Sequence, residues 1–261
     1  PHNPTGAVLT HDELMAIARP EGVSRAVLIQ HNRYHGFNNE YLISAWQQQP
    51  DQFRIVGMVD SRKPAPGNAM RQLLKQGVTG FRIAPARLGK DWLKTDGMRE
   101  MWRTAIETRQ SMCCLINPSD LGDVDRMCES HPETPVVIDH FGRVGVGGVI
   151  RADDLSALCR LARHKLVRVK VSAFYALGKA QPPYDDLIPM IRRLLDSFGA
   201  ERLMWASDCP YQLGGANTYA ASIGLIRDRL DFLSERDRNQ LLRDTAASVF
   251  FFDAQSSVRS D

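Results

Sequence analysis

Seven times between residues 24 and 229, a short run rich in apolar and β-branched residues gives way to a stretch with helical spacing. That alternation commits the chain to a parallel sheet wrapped by helices, because parallel neighbours need a crossover between them. The runs are SRAVLIQ (24–30), RIVGMVD (54–60), VTGFRIA (78–84), MCCLIN (112–117), PVVIDH (135–140), VRVKVSA (167–173) and RLMWAS (202–207). Helical spacing fills 38–49, 68–76, 98–109, 120–129, 152–163 and 185–198, and three more helices at 218–229, 235–243 and 245–251 close the chain. A length of 261 residues is close to the roughly 250 of an eight-fold α/β barrel. The expected fold is therefore a (β/α)8-type TIM barrel forming one domain over residues 1–261.

One strand is short. Thr10 and Glu13 make a capping box for a helix that Pro20 ends, so the chain opens on a helix where a first strand should precede it. Either that strand lies upstream of Pro1 or the barrel is open there, with two unpaired strand edges beside the site.

Active sites in this architecture sit at the carboxyl ends of the strands. The last strand runs into Asp208, followed by Cys209 and Pro210, so Asp208 stands where the ladder must stop. Side chains alternate along a strand. That rule sends Gly80, Arg82 and Ala84 inward from the third run, Lys170 and Ser172 from the sixth, and Met204, Ala206 and Asp208 from the seventh. A buried charge without a partner or a task costs several kcal/mol, so this convergence of polar groups marks a site. His140 ends the fifth run and faces Asp208 across the mouth, a pair suited to acid and base work. Lys170 reads either as a catalytic group or as the partner of an interior carboxylate.

Other groups carry less. His31 and His35 in QHNRYHGFNN have helical spacing, yet Gly36 and the asparagines indicate a loop, so hydrogen bonding or substrate contact by His31 and Asn32 is expected rather than a metal pair. Cys209 has no histidine in a nucleophile pattern and reads as a small buried hydrophobe. The formal net charge of +3, with both signs scattered, excludes a nucleic-acid or membrane-surface footprint. A small-molecule partner is expected, with homo-oligomerisation left open. Five cysteines without CxxC spacing read as reduced thiols in a cytoplasm, and neither a membrane span nor a leader is evident.

VIDHFGR after the fifth run and LMWASDCPY at the last resemble the amidohydrolase-related family, in the branch of 2-pyrone-4,6-dicarboxylate lactonase and related sugar-lactone hydrolases. QHNRYHGFNN, GVTGFRI and KVSAFYALG are similar in the same order, so the resemblance spans about residues 10–252. It implies a hydrolase in which Asp208 activates water and His140 polarises the substrate carbonyl; Asn117, at the end of the fourth run, is expected to add a neighbouring donor. Arg82 and Arg87 would hold a substrate carboxylate, which suits planar guanidinium groups. Tyr175 completes the candidate substrate contacts. The family's first strand ends in HxH, which this sequence lacks, and the histidine of its fifth strand is replaced by Leu115, Ile116 and Asn117. Only His140 and Asp208 remain as metal ligands, so the expected cofactor is none, or one divalent zinc or manganese if an upstream HxH strand exists. An Arg and a Tyr that the pyrone branch uses have no match near Tyr175, Ala176 and Leu115, so the pyrone itself is not the expected substrate. The reading is hydrolysis of a small carboxylated or hydroxylated lactone, or a similar ester or amide. The alternatives are a metal-dependent decarboxylase of the same family and an inactive ligand-binding barrel.

Overall fold

The computed structural model describes residues 9–85, 89 and 91–252. The first described element is α1 (His11–Ala18), capped as the sequence requires: Thr10 Oγ1 accepts from the Glu13 amide at 3.2 Å and the Thr10 amide donates to Glu13 at 2.7 Å. The strands are β1 (Ala26–Ile29), β2 (Phe53–Gly57), β3 (Val78–Ile83), β4 (Ser111–Cys114), β5 (Val136–Ile138), β6 (Val167–Ser172) and β7 (Leu203–Ala206). Between them run α2 (Asn32–His35), α3 (Glu40–Gln48), α4 (Pro66–Leu74), α5 (Asp96–Thr108), α6 (Leu121–Ser130), α7 (Ala152–Arg160) and α8 (Ile188–Phe198). After β7 come α9 (Tyr219–Asp228), α10 (Glu235–Asn239) and α11 (Thr245–Phe250), the last two joined by a π-helical segment, Gln240–Asp244.

All strand pairs are parallel and in chain order, β1 to β7. The result is a curled seven-stranded half-barrel in which, among the described residues, β7 does not pair with β1. Each strand stops one to three residues short of its apolar run, because the residues at the carboxyl end leave the ladder to form the mouth.

Alternation divides the core into two layers. Outward side chains such as Phe81, Ile83, Val169, Val171 and Leu203 pack against the helices. The amphipathic α8 shows how: Met190, Ile191, Leu194 and Phe198 are buried on one face, each contributing roughly 1.5–3 kcal/mol. Inward, Val56, Cys113, Val137 and Met204 form an apolar plug with Val249 and Phe250 of α11. Above this plug the inward positions turn polar, and there the site begins.

Candidate active site

The polar layer is a buried ion cluster. Arg82 of β3 donates through Nη2 to Asp139 Oδ2 at 3.1 Å, and Lys170 Nζ of β6 lies 2.7 Å from Asp139 Oδ1. The Arg82, Lys170 and Asp139 side chains are 10, 6 and 0 % exposed. Burial pushes the Asp139 carboxyl up, but Lys170 and Arg82 outweigh it and hold the group well below the usual carboxylate range. Two cations on one carboxylate leave this triad with net positive charge, and Arg82 Nε is buried without a partner. Asp139 is the interior carboxylate that Lys170 requires; it is one alternation step past Val137 on the inward face, and that parity was the signal for it.

Above the triad stands His140. Its Nδ1 lies 2.8 Å from Ser172 Oγ, and its Nε2 lies 3.6 Å from Asp208 Oδ1. Burial lowers the His140 pKa and outweighs the opposing pull of Asp208 and Asp139, so the imidazole is neutral at neutral pH. The other carboxylate oxygen, Asp208 Oδ2, accepts from the Tyr175 hydroxyl at 2.7 Å. Burial and then the Asp208 charge raise the Tyr175 pKa, so the phenol stays a donor.

Backbone strain concentrates here. His140, Phe141 and Arg143 after β5, Ala173 after β6 and Asp208 after β7 all have left-handed φ, between 53° and 59°. A non-glycine residue in that region costs roughly 1–3 kcal/mol, and such residues cluster at functional sites. The Cys209 thiol is pushed up to about 12 by burial and by Asp208, so it is no thiolate nucleophile at neutral pH.

A cavity of about 470 Å³ is lined by Arg82, Lys170, His140 and Asp208 and runs along the inner edges of β1 and β7. His31 is on its wall, where its Nε2 lies 2.7 Å from the Tyr211 hydroxyl. That contact joins the segment after β1 to the segment after β7 across the unpaired seam. Tyr211 was unassigned in the sequence, which gives no sign that residues 180 positions apart meet. The His31 to His35 stretch is a helical turn at Asn32–His35 rather than the expected loop, and Asn32 is not on the cavity wall. Asn117 is exposed and also off that wall: its Oδ1 accepts from Arg143 at 3.3 Å and its amide donates to Asp120. Arg87 lies outside the described residues.

A family model described as amidohydrolase matches residues 2–252. The chain belongs to the amidohydrolase family. This amidohydrolase is 27 % identical over 214 residues to a 4-sulfomuconolactone hydrolase of Rhizobium radiobacter, covering 81 % of this chain and 69 % of the relative. Its fold is similar to that of a probable 2-pyrone-4,6-dicarboxylic acid hydrolase from Acinetobacter baumannii, with TM-score 0.80, 23 % identity, and 96 and 94 % of the two chains covered. It is equally similar to a Burkholderia multivorans amidohydrolase crystallised with bound zinc, with TM-score 0.81, 19 % identity and 95 and 90 % coverage. That neighbour holds a zinc ion, and amidohydrolases commonly bind a divalent metal. Among the described residues no group of three metal-ligating side chains comes together. His140 and Asp208 supply two donors where a catalytic zinc wants three protein ligands. The described site of this amidohydrolase does not by itself make a zinc centre. Nor, among these residues, is any helix long and apolar enough to cross a membrane.

Proposed function

We propose that this amidohydrolase opens a small anionic lactone by attack of a water molecule that Asp208 activates. One observation carries the reading: the Asp208 and His140 pair stands directly above a buried triad with excess positive charge. A substrate carboxylate or sulfonate satisfies that charge through the guanidinium of Arg82, which lines the cavity with its side chain 10 % exposed. The reacting carbonyl then falls at the height of His140 and Asp208.

In the step itself, Asp208 Oδ1 takes a proton from water and the oxygen attacks the lactone carbonyl carbon. With Ser172 donating to Nδ1, the neutral His140 carries its proton on Nε2, which faces the same space. That N–H stabilises the developing oxyanion, an effect worth about 3 kcal/mol for a well-placed donor. The C–O bond to the ring oxygen then breaks, and the proton held by Asp208 passes to the leaving alkoxide. The product is a ring-opened hydroxy acid. The 4-sulfomuconolactone hydrolase relative supports an anionic, unsaturated lactone as the first substrate class to assay. Cytoplasmic residence and a homo-oligomer are compatible with this reading and are not required by it.

The test is hydrolysis of 4-sulfomuconolactone by wild type and by Asp208→Asn. Loss of a general base predicts a kcat at least about 100-fold lower in the variant, with unchanged circular dichroism. An Asp208→Asn protein that keeps its full rate contradicts the assignment.

A further inference from the structure

Asp208 lies two residues beyond the end of β7, in left-handed backbone with φ 54°, and its side chain is 21 % exposed. Among the described residues no strand hydrogen bond fixes it, and the short tether on its carboxylate comes from another element. That tether is the Tyr175 hydroxyl, 2.7 Å from Oδ2. Tyr175 in turn belongs to the 3-10 turn Phe174–Ala176, set by the left-handed Ala173 directly after β6. Its side chain is not on the cavity wall. The same β6 terminus supplies Ser172, which holds His140 from behind at 2.8 Å.

We infer that Tyr175 is a positioning residue for the base: by occupying Oδ2 it fixes the carboxylate so that Oδ1 alone faces His140 and the reacting water. The inference rests on the reading of Asp208 as the base, and it deepens that reading by assigning Tyr175 away from substrate binding. A carboxylate free to rotate about its Cα–Cβ and Cβ–Cγ bonds presents Oδ1 to the water only part of the time. Held by a charge-assisted hydrogen bond, it stays in the productive orientation. The Tyr175 ring is also half-buried, which limits the motion of its hydroxyl.

Tyr175→Phe removes the hydroxyl alone and keeps the ring that packs in the turn. With 4-sulfomuconolactone as the probe, kcat is expected to fall about 10- to 100-fold, with KM within about twofold of wild type. The crystal structure of the variant is expected to show Asp208 in a different rotamer or spread over several, with the 3.6 Å approach to His140 lost. A raised KM with kcat preserved would identify Tyr175 as a substrate contact and overturn the inference, as would an unmoved Asp208 with unchanged kcat. If wild type leaves the lactone untouched, the proposed function fails, and the position of Asp208 in the variant still decides the role of Tyr175.

Discussion

Asp139 is fully buried and compensated twice, so its removal affects stability before chemistry. Asp139→Asn leaves Lys170 and Arg82 facing each other without an anion between them. Breaking a buried pair by deleting one partner costs roughly 3–5 kcal/mol, which at roughly 2–4 °C per kcal/mol for a chain of this size lowers Tm by about 10 °C. The pH dependence has a definite sign. The folded carboxyl is held below its unfolded value of about 4, so its stabilisation is present above that pH and is lost as the pH falls through the depressed folded value. Thermal unfolding of both proteins between pH 7 and 3 should therefore show the gap between them narrowing on acidification. At this scale much was legible: alternation alone sent Arg82, Lys170, Ser172 and Asp208 inward. Asp139 obeys the same parity and was hidden by its neighbour, because His140 drew the chemical argument. Asn117 failed for another reason, since the chain turns into Pro118–Asp120 and aims its side chain at Arg143.

Among the elements, the end of β6 matters most, because Ser172 and Tyr175 tether His140 and Asp208 from either side of Ala173. Ala173 has φ 59°, a conformation glycine adopts without the steric cost. Ala173→Gly should be neutral to stabilising, by up to about 1 kcal/mol, and a urea denaturation curve measures it. A clear destabilisation would show that the turn depends on the alanine methyl group, which is 5 % exposed. The seven strands and the long helices between them were legible in order and type because apolar runs and helical spacing alternate without interruption, whereas the short helix Asn32–His35 was not, since Gly36 and the asparagines around it signal a loop. Their carboxyl ends were not, since parallel ladders stop wherever the chain must turn into a loop, and apolar residues continue past that point. The Tyr211 and His31 contact belongs to the same class: it joins two loops through space, and local pattern carries no trace of it.

At the scale of the whole molecule, the described residues form a curled sheet whose wall opens between β1 and β7 and whose base is closed by α11. Phe250 is 1 % exposed and packs with Val56, Cys113, Val137 and Met204 beneath the charged triad, with Lys170 Nζ 5.9 Å from its ring centre. Phe250→Ala should cost about 3–5 kcal/mol, seen as a lower midpoint in denaturant with the slope unchanged. At the mouth, the two described donors predict that dialysis against a chelator leaves turnover unchanged; lost turnover restored by zinc would mean that further ligands come from outside the described residues. The central claim is that water, activated by Asp208, attacks the carbonyl directly. The most direct measurement is a single turnover in ¹⁸O-water with enzyme in excess over 4-sulfomuconolactone. Direct attack predicts one ¹⁸O in the new carboxylate during the first turnover and none in the protein. A product without ¹⁸O, together with label in the Asp208 carboxyl group, would make Asp208 a nucleophile and contradict the account.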